Sequence, residues 1–247
     1  MRSTTTRVAA LAAMLAAFNA PLAHAAYCDS TYSSTGLTVL EGASVCFVYD
    51  PNAIDPKFGT LSASGDNIFA TPTNFNATSN DGGTVTTDGT GTIQVIAKSG
   101  FVLDAINVGE NGSYSMTGAG SSVDIDGLLD VYDWSSPVFG TRENTTLTLN
   151  GALDQRDGNL HAWQAVGGFD LTASIWDGID HVGLSLTNLL TAATSADGES
   201  AFINKTLTGT EIEISVDTST VVPLPAAVWL FGSGLFGLVA FARRRAG

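Results

Sequence analysis

Basic residues, histidine and cysteine are scarce in this 247-residue chain: ten Lys and Arg, three His and two Cys. The scarcity is greater once the two ends are set aside. Arg2, Arg7, Arg243, Arg244 and Arg245 take half of the basic residues, so residues 26–218 hold five bases against all 24 acids, a net charge near −19. Phosphate binding requires clustered Lys and Arg, which excludes nucleic acid as a partner. Beyond His24, only His161 and His181 remain. With two cysteines they fall short of the closely spaced ligand sets of structural zinc. There is no G-x-S-x-G elbow, no H-E-x-x-H helix and no G-x-x-x-x-G-K-[ST] phosphate loop. Gly232-Ser-Gly234-Leu-Phe-Gly237 matches the dinucleotide fingerprint, but no acidic residue follows it. No stretch of residues 26–218 sustains an amphipathic helix, and no internal repeat is present.

What is present begins with two apolar ends. Arg2 and Arg7 precede an apolar run from Val8 to Phe18, and Ala23-His24-Ala25 supplies a small-x-small cleavage site. Residues 1–25 therefore read as a secretory signal peptide, handed to a translocon and a signal peptidase. At the other end a proline pair, an apolar run and a basic cluster follow in order. The run from Pro225 to Ala242 would span about 27 Å as a helix, close to the hydrocarbon core of a bilayer. Arg243, Arg244 and Arg245 would hold its far end in the cytoplasm. The chain divides into a signal peptide (1–25), an exported domain (26–218) and a tail (219–247). The tail has a motif at 222–225, a transmembrane run at 225–242 and a basic end at 243–245.

The tail, Val222-Pro223-Leu224-Pro225-Ala-Ala-Val-Trp-Leu-Phe-Gly-Ser-Gly through Arg245, resembles the C-terminal sorting signal of PEP-CTERM proteins. Where that family has Pro-Glu-Pro, this chain has Pro223-Leu224-Pro225. The resemblance covers about a tenth of the chain. It implies recognition by an exosortase, a membrane-embedded processing enzyme, and association with exopolysaccharide or biofilm matrix. The protein would then be anchored transiently in the inner membrane and afterwards reach the cell surface or the exterior.

In residues 26–218, Asp-Gly recurs at Asp81, Asp88, Asp126, Asp157, Asp177 and Asp197, and Asn-Gly at Asn111 and Asn150. Both dipeptides favour tight hairpin turns. Between them lie β-prone segments: 44–49, 92–97, 101–108, 145–149, 168–173, 182–186 and 211–216. Segments 145–149 and 211–216 alternate polar and apolar with period two. The nearest thing to a helix is 188–194, whose threonines also fit a strand. These signals predict an all-β fold, an antiparallel sandwich or jelly roll. Cys28 and Cys46 are expected to pair in an exported domain.

Two clusters are candidate sites. Asp124 and Asp126 would share one side of a strand, with Asp130 and Asp133 following a turn at Gly127. That is a start on a calcium site, and equally the wet face of an ion-free strand. Trp176, Asp177, Asp180 and His181 combine an aromatic ring with hydrogen-bonding groups. They suit sugar contact if the ring is exposed, and core packing if it is not. Trp134 and Trp163 are further candidates. No cofactor other than calcium is suggested. The function implied is a non-enzymatic surface or matrix module that associates with exopolysaccharide, with a secreted polysaccharide hydrolase as the alternative.

Overall fold

The computed structural model describes residue 28, residues 36–205 and residues 212–221. The signal peptide, Val222, Pro223, Leu224, Pro225 and Arg243 to Arg245 lie outside the described residues. Among the described residues, no helix is long and apolar enough to cross a membrane.

The described chain is an all-β sandwich of two antiparallel sheets. One has six strands in the order β1 (Thr38–Glu41), β2 (Val45–Tyr49), β6 (Gly83–Ala97), β12 (His181–Thr194), β8 (Ser122–Asp133) and β9 (Arg142–Thr146). The other runs β10 (Thr148–Leu149), β11 (His161–Asp170), β7 (Phe101–Thr117), β14 (Ile212–Thr220), β4 (Asn67–Thr71) and β3 (Thr60–Ser64). In that second sheet β13 (Ser200–Asn204) pairs with both β7 and β5 (Asn76–Asn80). Short 3-10 turns occur at Pro51–Ala53, Pro56–Phe58 and Ser174–Trp176.

Each sheet turns one face inward, as the period-two side-chain alternation of a strand requires. In β12 the residues at Val182, Leu184, Leu186, Asn188, Leu190 and Ala192 are all buried. All but Asn188 share one continuous apolar core with Ile106 and Val108 of β7 and Ile212 and Val216 of β14. A smaller apolar cluster lies apart from it, made of Cys28, Cys46, Val48 and Ile96 with Leu37 and Val39 beside them. Cys28 and Cys46 form a disulfide there, which ties the start of the domain to β2.

Several expectations change at this level. Gly127 makes no turn: β8 continues through it from Ser122 to Asp133. Asp88-Gly89 and Asn111-Gly112 likewise fall inside β6 and β7. These glycines are there for space. A Cβ on Gly89 would sit 2.9 Å from the Phe75 ring, on Gly112 2.4 Å from Trp163, and on Gly127 2.6 Å from Leu147. By contrast Asp81-Gly82 does turn, with Asp81 at φ 55° and Gly82 at φ 97°. The segment 145–149 is split at Leu147, where the chain leaves the six-stranded sheet as β9 and enters the other as β10. Segment 188–194 is strand, part of β12. β14 runs to Thr220, two residues past the expected domain end.

Candidate functional site: an aromatic row on the six-stranded sheet

The outward face of the six-stranded sheet gathers flat rings where β8 and β12 run side by side. Tyr132 stands opposite Gly183 of β12, which stands opposite Gln94 of β6. Gly183 has no Cβ, and one placed there would lie 2.3 Å from Tyr132 Cζ, so the Tyr132 ring rests directly on β12. Trp134 follows just beyond the end of β8, and its backbone N–H donates to the His181 carbonyl at 3.1 Å. Tyr132 and Trp134 have ring centroids 6.0 Å apart and planes 28° apart. Trp134 and His181 are 5.8 Å and 22° apart. Three near-parallel rings, each half-buried, thus form a row across the sheet.

Polar groups flank the row. Arg142 of β9 donates through Nε to Asp130 Oδ1 at 2.9 Å and through its terminal nitrogen to Asp130 Oδ2. Its guanidinium lies 5.2 Å from the Tyr132 ring centroid, a cation–π contact. At the other end His181 Nε2 is 3.0 Å from Gln94 Oε1. Burial holds the His181 imidazole below its ordinary 6.5, against the upward pull of Asp180 and Asp133. The ring is therefore neutral at pH 7, and Nε2 donates to the Gln94 carbonyl oxygen. Burial also raises the Tyr132 phenol, followed by a lowering by Arg142 and a raising by Asp130, which keeps it a hydrogen-bond donor. Asp133, Ser135, Asp180 and His181 border a shallow open cleft at the end of the row. The Ser135–Gly140 loop beside it carries Phe139, 93% exposed.

The residues of the two expected clusters fall as follows. Asp124, Asp126 and Asp130 lie on one strand, and six residues of strand separate the first from the last by about 20 Å. Asp130 is engaged by Arg142, and Asp133 caps the next turn by accepting from Ser135 N and Oγ at 2.8 and 2.7 Å. The structure does not bring the four carboxylates together, and among the described residues no three His, Cys, Asp or Glu side chains gather to hold a metal ion. Trp176 is a core ring, 3% exposed, with Nε1 donating to Glu143 Oε2 at 3.1 Å. Sugar contact at Trp176 is excluded by that burial. Asp177 is exposed beside it, whereas Asp180 and His181 belong to the cleft and the row. Trp163 is also buried, with Nε1 donating to the Asn204 carbonyl at 3.0 Å.

Tyr132, Gln94, Arg142 and Gly183 of this site are not among the residues to which the sequence pointed. Part of the signal was there: Tyr132 and Trp134 are two apart, hence on one face of an extended chain. The pairing of β8 with β12 that brings His181 beside them is long-range and has no local signature.

No family model matches this chain, and no curated protein matches it. Among solved structures, the chain is similar to TmCBM61 in complex with beta-1,4-galactotriose, at 9% sequence identity and a TM-score of 0.26. The match covers 72% of this chain and 91% of that one. At that level of similarity nothing about the ligand of this chain follows from it.

Proposed function

We propose that this chain is an exported, non-enzymatic polysaccharide-binding module of the cell surface or extracellular matrix. The observation that carries the reading is the Tyr132–Trp134–His181 row. Near-parallel rings in a row, each half-exposed, offer aromatic carbon surface against which the apolar C–H faces of pyranose rings can pack. The flanking Arg142–Asp130 fork and the His181–Gln94 pair offer the donors and acceptors that hydroxyls require. The missing Cβ of Gly183 leaves room for the Tyr132 ring against β12. The net charge near −19 suits a soluble exported body and disfavours polyanionic nucleic acid.

The route to the exterior rests on the sequence of the two ends. The signal peptide brings the chain to the translocon, and the tail holds it at the inner membrane until an exosortase-type enzyme processes it. Material recovered outside the cell is then expected to lack the tail. Intact-mass measurement reads this directly, and arginines 243 to 245 still attached would point to a permanent anchor.

One observation bears on the hydrolase alternative: Asp133 and Asp180 border the same cleft as His181. The protein recovered from outside the cell, incubated with the producer's own polysaccharide, separates the two readings. Retention of the polysaccharide with no new reducing ends is expected. Reducing ends that disappear on Asp133→Asn or Asp180→Asn would establish the hydrolase instead.

A further inference from the structure

The inner faces of the two sheets hold a second polar constellation, unconnected with the aromatic row. Glu110 of β7, Asn188 of β12 and Lys205, which follows β13, each have zero exposure. Lys205 Nζ donates to Glu110 Oε2 and, at 2.8 Å, to Asn188 Oδ1. Asn188 Nδ2 donates to Glu110 Oε1 at 2.7 Å. The amine, the amide and the carboxylate thus close a ring of hydrogen bonds, and no buried side-chain nitrogen or oxygen among the described residues lacks a partner. Lys205 Nζ also lies 5.5 Å from the Phe75 ring centroid and 5.4 Å from that of Trp163.

The sequence has made room for this arrangement. Asn188 is paired with Gly89 on one side and Gly127 on the other. The missing Cβ of those two glycines and of Gly112 leaves room for Phe75, Leu147 and Trp163. A buried ion pair stabilises a fold weakly at best, since desolvating both charges offsets most of their attraction. Three strand glycines and two aromatic rings around one lysine are a costly way to hold a salt bridge. They are a reasonable way to hold a reaction.

We propose that Lys205 and Asn188 become joined by an intramolecular isopeptide bond, with Glu110 carrying the proton. Lys205 passes a proton to the Glu110 carboxylate, and the neutral Nζ attacks Cγ of the Asn188 side chain. With Nζ 2.8 Å from Oδ1 and a C=O bond of about 1.23 Å, that carbon is within about 4 Å of the nucleophile. In the tetrahedral adduct, Glu110 delivers that proton to Nδ2, to which it is already hydrogen-bonded, and the carboxylate so restored takes a second proton from the former Nζ. The Cγ–Nδ2 bond breaks and ammonia leaves. The products are one Nζ–Cγ amide, one ammonia and a protonated Glu110; nothing is oxidised or reduced, and no co-reactant is consumed. Burial, the largest influence on Lys205, lowers its pKa and so favours the neutral nucleophile, while Glu110 acts in the opposite direction. The bond would tie β12 of one sheet to the end of β13 in the other, across a sequence separation of 17.

The full chain, denatured, reduced and digested with trypsin, gives the test. Asn188 and Lys205 fall in one tryptic stretch that begins at Asp157, and trypsin does not cut after an acylated lysine. The expected product runs on past Lys205 and is lighter than its sequence by about 17 Da, the mass of one ammonia. A peptide from Asp157 ending at Lys205, at full sequence mass, would overturn the proposal. Deamidation of Asn188 would instead raise the mass by about 1 Da and leave Lys205 cleavable, which also counts against it. Glu110→Gln keeps the size of the side chain and removes the proton carrier, so full mass and normal cleavage are expected. Ammonia loss persisting in that variant would overturn the role of Glu110. The wild-type reading requires no variant, so misfolding of Glu110→Gln cannot mask the outcome.

Discussion

His181 shows how one residue links the site to solution conditions. Its folded pKa lies below the ordinary 6.5, chiefly through burial. As pH falls, the unfolded chain takes up the proton first. The contribution of the neutral imidazole is therefore fully present above the unfolded value and is lost as pH drops through and below 6.5. Melting temperatures measured between pH 7.5 and 5.5 should fall, and should fall less in His181→Gln. An equal decline in both proteins would mean that other groups set the pH dependence. Legibility at this scale was uneven. The disulfide Cys28–Cys46 was readable because there are only two cysteines to pair. Trp176 could be read from sequence either as a surface ring beside Asp177, Asp180 and His181 or as a core ring. In space its indole is turned inward to Glu143, and sequence neighbours do not report that direction.

At the scale of the element, glycine carries the lesson. Asp81-Gly82 and Asp197-Gly198 do turn, as the chemistry of these dipeptides suggests, but each turn passes the chain from one sheet to the other (β5 to β6, β12 to β13) and closes no hairpin. The dipeptides at Asp88, Asn111 and Asp126 have the same letters and sit inside long strands, because the deciding contacts come from Phe75, Trp163 and Leu147 elsewhere in the chain. Two substitutions three residues apart on β7 test this reading. In Gly112→Ala the new Cβ would be 2.0 Å from the Asn204 carbonyl oxygen and 2.4 Å from the Trp163 ring, and a loss of about 1–3 kcal/mol is expected. In Gly109→Ala no heavy atom lies within 4 Å, and a change within about 0.5 kcal/mol is expected. Denaturant unfolding of the two variants reads the difference, and equal effects would contradict the packing account. The split of segment 145–149 at Leu147 has a similar origin. Its alternation is real, but which sheet each half joins depends on β8 and β11.

For the whole molecule, fold class was legible and pairing was not. Strand-rich segments, frequent turn dipeptides and the absence of helical periodicity sufficed for an antiparallel sandwich. The strand order depends on contacts between distant segments, such as β6 with β12 and β7 with β14. The disulfide belongs to this scale because it holds the start of the domain against the outer face of the six-stranded sheet. Replacing Cys28 and Cys46 together by Ala should cost about 3 kcal/mol, given a separation of 18 residues. Glycan binding should survive at temperatures where the variant stays folded. A loss of binding without a loss of stability would place the disulfide in the site itself.

The central claim is that the outward row of rings binds polysaccharide. Titration of the purified protein with the producer's exopolysaccharide, wild type against Trp134→Ala, tests it most directly. Trp134 is half-buried on the sheet surface and outside the main core, so the variant should melt within a few degrees of the wild type. Its affinity should fall by about tenfold or more, equivalent to about 1.4 kcal/mol. Equal binding by both proteins, or no binding by the wild type, would contradict the account.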